Sequence, residues 1–196
     1  MSTPPGGFYS GERWDNWIER LRETDLDPEE DSFLDLQMNL QDDVAIAVAK
    51  IVSAFDEGEI DEETALDELT DVREVVLEEV TFDDEDAAML VDEVQTSLVC
   101  VFASAEEFIV GGPADEAPIA EFVRAAADAE AEEDLDGAFT YCVGAGTRII
   151  AGDEFDIELV DDLEFGHVAV WVNGLDSLQR ALQDPEVVEE EGEDEA

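Results

Sequence analysis

The sequence predicts a mainly α-helical protein: one bundle-like domain of about six to seven helices. Apolar residues recur at intervals of three and four along most of the chain, as on one face of a helix. Asp or Ser residues stand before most of these stretches as N-caps. Hydrophobic residues make up 45% of the 196 residues, enough to form a core. We expect a flexible lead-in at 1–9, the helical domain at 10–182 and an acidic, disordered tail at 183–196.

The first two helices are marked by their caps and apolar faces. Ser10 precedes a helix with one apolar face, formed by Trp14, Trp17, Ile18 and Leu21. Asp31 or Ser32 is the predicted cap of a longer helix, which ends at Gly58. Its apolar stripe consists of Phe33, Leu36, Leu40, Val44, Ala47, Val48, Ile51 and Phe55. A short link then leads to Asp61, the predicted cap of a third helix, so helices two and three should form an antiparallel hairpin.

Three more helices are predicted in the centre of the chain. The fourth begins after Asp83 or Asp84 and ends at the Gly-Gly-Pro sequence 111–113. The fifth begins near Asp115, and its Ala- and Glu-rich end, 125–133, is expected to face solvent. The sixth runs from about Asp136 to Gly152. Its small residues would let another backbone approach closely: Ala138, Gly144, Ala145 and Gly146.

Residues 153–182 allow two interpretations. Phe155, Ile157 and Leu159 alternate as in a strand, and residues 168–172 are rich in β-branched side chains, so a short β-hairpin near 155–172 is one alternative. A helical face also fits, formed by Val168, Trp171, Val172, Leu175, Leu178 and Leu182. We favour the terminal helix.

The charge balance is extreme: 57 Asp and Glu residues against 8 Lys and Arg residues, a net charge of −49. Proteins that bind nucleic-acid backbones or anionic membranes need basic patches, so neither partner is expected. In molar salt the Debye length is about 3 Å, which screens the self-repulsion. Carboxylates would then hold water and K⁺ at the surface without a specific site. We therefore predict a halophilic protein, in preference to a specific anionic mimic.

The predicted location is the cytoplasm. Residues 1–30 contain no basic stretch followed by an apolar one, as an export signal would, and no uninterrupted apolar run approaches the roughly 20 residues of a membrane span. Cys100 and Cys142 both lie in apolar, helix-like stretches. Two buried free thiols are the expected state in a reducing compartment, and a disulfide is the alternative.

No catalytic constellation, cofactor-binding motif or metal-ligand pattern can be recognised in the sequence. His167 is the only histidine, and Glu164 precedes it by three residues, the spacing used in carboxylate-bridged metal sites. With 57 acidic residues such a spacing is close to what chance produces. A small-molecule- or metal-binding helical module, or an enzyme, that uses acidic residues near Glu164 and His167 is thus the alternative function.

The segment from Phe8 to Arg22 is the candidate interaction surface. Aromatic and arginine side chains are favoured at interface hot spots, and the segment carries Phe8, Tyr9, Arg13, Trp14, Trp17 and Arg20. The same residues also fit packing onto the domain's own core, with the arginines paired to nearby acids. From the first interpretation we predict a non-enzymatic interaction protein, either an adaptor or a self-associating scaffold, whose partner is a protein or a second copy.

Three stretches of sequence resemble an uncharacterised archaeal family, a domain of unknown function common in halophilic archaea. These are FYSGERWDNW at 8–17, LQDDVAIAVAKIV at 40–52 and GLDSLQRAL at 174–182. The resemblance spans roughly residues 8–182. It implies a haloarchaeal cytoplasmic setting, and it implies no activity, cofactor or set of functional residues.

Overall fold

The computed structural model describes residues 7–156, 158–161 and 163–183, and these residues form eight helices and no strand. The predicted bundle-like helical fold is confirmed. The helices are α1 (Gly11–Glu23), α2 (Asp31–Asp56), α3 (Glu62–Val76), α4 (Glu85–Gly111), α5 (Ile119–Ala131), α6 (Leu135–Ile150), the single turn α7 (Glu158–Asp161) and α8 (His167–Gln183). Residues 1–6 of the predicted lead-in and 184–196 of the predicted tail lie outside the described residues.

Most helices begin where the sequence predicts. Ser10, Asp61 and Asp84 each accept a hydrogen bond from the backbone amide three residues later, which satisfies a free donor of the first turn. The second helix differs slightly. Its N-cap is Glu30, which makes no capping bond through its side chain, and Asp31 is already the first helical residue.

The inner part of the bundle consists of α2, α4, α6 and α8. Helix α4 packs against the other three, and α8 does the same, while α3 covers α2 and α4, and α5 covers α6 and α8. The central side chains include Leu40, Leu98 and Leu178, all fully buried. Helix α1 lies at the periphery, against α3.

The terminal helix is confirmed. Val168, Trp171, Val172, Leu175 and Leu178 are all buried along one side of α8, so burial follows the helical period and not the period of a strand. No strand occurs in the described parts of 155–172, and Ile157 of the alternative hairpin lies outside the described residues.

Glycines allow the inner helices to approach closely. A Cβ atom on Gly146 of α6 would lie 2.0 Å from the hydroxyl oxygen of Ser104 on α4. A Cβ atom on Gly174 of α8 would lie 2.6 Å from the backbone carbonyl oxygen of Ser97, also on α4. The small residues of the sixth helix therefore lie against side chains of neighbouring helices, whereas the close approach of a backbone predicted there occurs at Gly174 of α8.

The prediction for the fifth helix is wrong at its start and only partly right at its end. The helix begins at Ile119, after Pro118, and not near Asp115. Ala126 and Ala129 are buried, whereas the 125–133 stretch was expected to face solvent. Val123, Ala126 and Ala129 follow one another at intervals of three residues, and residues three apart are neighbours on a helix surface. Asp128 and the acidic residues that follow Ala129 gave the stretch its polar composition.

Within the described residues, α4 is the one helix that is long and apolar enough, by length and composition alone, to cross a membrane. Its apolar run is interrupted by two acidic residues, so it was not predicted to be a possible membrane span. More than half of the segment is buried inside the bundle. Its apolar character therefore matches its place as an inner helix.

Candidate functional site

Some residues of the predicted N-terminal interaction surface lie in the core, and others are exposed to solvent. Tyr9 is 7% exposed and Trp14 is 3% exposed, so both are core residues of this domain. Phe8 and Trp17 are half-buried and pack against the same core. Of the six predicted residues, only Arg13 and Arg20 are mainly exposed. In this conformation Tyr9 and Trp14 are thus not available to a partner.

A buried carboxylate anchors α1 to α2. Asp43 is 7% exposed and accepts hydrogen bonds from the guanidinium of Arg13, including Nε at 2.9 Å, and from Nε1 of Trp17 at 3.0 Å. This bond to Asp43 raises the pKa of Arg13. Burial, together with the negative charge of Asp43, raises the pKa of Tyr9 far above its usual value. The cluster holds the first helix in place, as the packing interpretation of this segment predicts.

Arg20 is exposed on α1 and lies against the half-buried Trp17. The Arg20 guanidinium lies 5.4 Å from the centre of the Trp17 ring, a cation–π distance. Arg22 has a comparable contact, 5.5 Å from the ring centre of Phe82, and donates a hydrogen bond to the backbone oxygen of Thr81. These arginines therefore cover aromatic faces of the protein's own surface.

The Glu164–His167 pair does not form a helical site. Glu164 is exposed and lies before α8, and His167 is the first residue of that helix, so the two do not share a helical face. The contact of His167 is with Glu130 of α5. The Glu130 carboxylate accepts hydrogen bonds from the backbone amides of His167 at 2.6 Å and Val168 at 3.3 Å. Glu130 thereby caps α8 across the tertiary fold.

Both cysteines are buried and free, on α4 and α6. Burial raises the pKa of the Cys142 thiol to about 12, and the nearby carboxylate of Glu130 adds to the effect. Burial, with the neighbouring Cys142, also raises the pKa of Cys100. Both groups are therefore poor nucleophiles in the folded protein, since the thiolate is the reactive form.

A concave surface lies where the end of α4 meets α5 and α6. It is a groove of about 800 Å³, here called the α4–α6 groove. Apolar residues form much of its lining: Val110, Phe122, Phe139, Tyr141 and Val143. The chain turns at one side, where Gly112 ends α4 with φ +77° and the Ala114 amide donates to the Thr147 hydroxyl at 3.0 Å. These contacts fix the shape of the groove.

The edge of the α4–α6 groove is acidic. Glu106 and Glu107 line it from the last turns of α4, and no Lys, Arg or His is among the described lining residues. Glu106 pairs with Arg73 of α3, outside the groove. The helix ends here without a basic residue in its last turn. The negative end of the helix dipole and two carboxylates thus meet at one edge of an apolar surface.

The chain is similar to one protein family. A family model described as an uncharacterized protein conserved in archaea (DUF2150) matches residues 7–191. The chain belongs to this family. No curated protein and no solved structure matches it. The archaeal family predicted from the three sequence stretches is thereby confirmed.

The groove of this DUF2150 protein was not predicted from its sequence. Val110 is 64% exposed and Tyr141 is 43% exposed, so neither belongs to the apolar stripe that its helix buries. An apolar residue outside this stripe is the signal that could have identified them, because the helical period predicts that such a position faces solvent. Phe165 carries the same signal. It is almost fully exposed beside the Glu130 end of α5, away from the groove residue Phe122.

Proposed function

We propose that this archaeal protein is a non-enzymatic helical interaction protein, an adaptor or a self-associating scaffold, of a halophilic cytoplasm. The observation that carries the proposal is the α4–α6 groove, with the exposed Val110 and Tyr141 at its rim. A cluster of exposed apolar side chains on a surface rich in carboxylates is typical of a protein-binding site. A partner protein or a second copy would cover it.

The charge supports the proposed setting. A net charge of −49 with a single lysine would keep the protein hydrated and soluble in molar K⁺, where screening removes the self-repulsion. Apolar contacts retain their strength under these conditions, whereas exposed ion pairs weaken. An apolar groove is therefore the kind of surface on which a protein can bind partners in concentrated salt.

Arg20 of α1, together with the half-buried Trp17, is the second part of the proposed surface. Trp17 and Arg20 combine an aromatic ring with a cation, as hot spots do. Truncation of the segment is a poor test, because Trp14, Ile18 and Leu21 belong to the core. Arg20→Ala is the appropriate variant, since the side chain is exposed and its loss leaves the core intact.

A pull-down from the native host in molar KCl, with identification by mass spectrometry, tests the proposal. We expect wild-type protein to retain a stoichiometric partner or extra copies of itself, and Val110→Ser/Tyr141→Ser to lose it. The matched control is Leu34→Ser/Met89→Ser, which also removes two exposed apolar side chains, on α2 and α4 outside the groove. Equal retention by both double variants, or recovery of monomer alone from wild type, would contradict the proposal.

A further inference from the structure

The α4–α6 groove has two chemically different parts. Its floor is apolar: a Cβ atom on Gly144 would lie 2.9 Å from the Phe122 ring, so this ring lies directly on the α6 backbone. Phe139 and Val143 continue the same apolar lining. The edge is formed by Glu106 and Glu107 at the end of α4. An occupant must therefore combine apolar groups with something that satisfies carboxylates.

The charge of the edge favours a cation. Among the described residues Glu107 forms no ion pair, and its carboxylate lies beside Gly111, within the last turn of a 27-residue helix. Helix C-termini attract Lys and Arg side chains, which are lacking in this turn. A second copy of the chain has only 8 Lys and Arg residues against 57 Asp and Glu residues, so it has few cations to place at this edge, and self-association through this groove is disfavoured.

The shape favours a peptide over a small molecule. The groove is open, and Val110 and Tyr141 stand exposed at its rim. A small ligand on the floor would leave these side chains in water. A helix laid along the groove would cover floor and rim together, as in other helix-in-groove complexes.

We infer that the α4–α6 groove binds an amphipathic helix of a partner protein, with apolar side chains on the floor and a Lys or Arg against Glu107. This inference rests on the proposed function and specifies its partner. The apolar face supplies most of the affinity in concentrated salt. The cation supplies selectivity, since a carboxylate covered by a partner without a matching charge loses its water and gains nothing.

Fluorescence anisotropy with three labelled synthetic peptides in molar KCl tests the inference. The probes are a Leu/Lys peptide with leucines at i, i+3, i+4 and i+7, a scrambled peptide of the same composition, and a Leu/Gln peptide with the first pattern. We expect the amphipathic Leu/Lys peptide to bind at least about tenfold more tightly than either of the others. The scrambled peptide reports non-specific attraction to the acidic surface.

Variants of the protein show whether the peptide binds in the groove. Val110→Ser/Tyr141→Ser should weaken the Leu/Lys peptide about tenfold, and Glu107→Gln should remove its advantage over the Leu/Gln peptide. Glu63→Gln, an exposed acid on α3, is the matched control and should change nothing. Equal binding of all three probes, or unchanged binding by the groove variants, would overturn the inference. If peptides fail while the host pull-down still depends on Val110 and Tyr141, the proposed function stands and only this partner class is wrong.

Discussion

Single side chains already account for how the first helix is held. Asp43 is buried and depends on Arg13 and Trp17 for its hydrogen bonds. Arg13→Ala should lower the free energy of unfolding by about 2 kcal/mol, a value reduced from that of a fully buried pair because Arg13 is 55% exposed. Arg20→Ala, which removes only an exposed cation–π contact, should cost about 0.5 kcal/mol.

Denaturant unfolding in molar KCl measures both variants. In an Asp43→Asn background the effect of Arg13→Ala should fall by more than half, because the charge that Arg13 compensates is gone. An undiminished effect in that background would show that Arg13 acts through packing alone.

The buried thiols give a pH dependence with a defined sign. The pKa of Cys142 rises from 9.0 to about 12 on folding. The stabilising contribution is complete below the unfolded pKa and is lost as pH rises through the folded one. Stability should therefore fall between pH 9.0 and about 12, and Cys100→Ala/Cys142→Ala should fall less steeply over this window. Parallel pH profiles of the two proteins in denaturant unfolding would contradict this.

At the scale of helices, close packing predicts that alanine substitutions at two glycines affect stability differently. Gly174→Ala places a methyl group 2.6 Å from the Ser97 carbonyl oxygen, a backbone atom that cannot move aside, and should destabilise the protein by about 2 kcal/mol. Gly11→Ala is the control: it begins α1 with open space around it and should be neutral or stabilise by up to about 1 kcal/mol. Thermal unfolding in molar KCl separates the two. Equal stability of both variants would mean that α4 and α8 are not so close.

The helices were predictable where the N-cap and the apolar spacing lie within the same segment of the chain. Ser10, Asp61 and Asp84 cap the helix that follows them directly, and apolar spacing identified α8 despite its β-branched residues. The cap of α8 was not predictable. Glu130 comes from a different helix 37 residues away, and only the tertiary fold brings it to the amide of His167. The burial of Ala126 was missed for the same reason, since it depends on which neighbour covers α5.

The whole molecule carries a charge that should dominate its solution behaviour. At about 0.01 M salt the Debye length grows to about 30 Å, comparable with the size of the domain, so the 57 acidic residues repel one another across it. We expect far-UV circular dichroism to show the helical spectrum in molar KCl and its loss at millimolar KCl. Sorbitol at matched osmolality should not restore it. A spectrum unchanged down to millimolar KCl would refute the halophilic account.

The candidate surface was only partly predictable at this scale. Composition pointed to the aromatic and arginine residues near the N-terminus, but composition does not distinguish a hot spot from an anchor such as Trp14. The α4–α6 groove joins residues from 103 to 147, and no local pattern marks their convergence. It became visible only when three helices and the turn at Gly112 were assembled.

The central claim is that this groove is covered by a protein in the cell. A photo-crosslinking phenylalanine analogue at position 141 in the native host tests it directly, with position 89 on the exposed start of α4 as control and position 20 reporting on α1. The account predicts one dominant protein adduct from position 141 and none from position 89. Adducts of equal yield from both positions, or none from position 141, would contradict it.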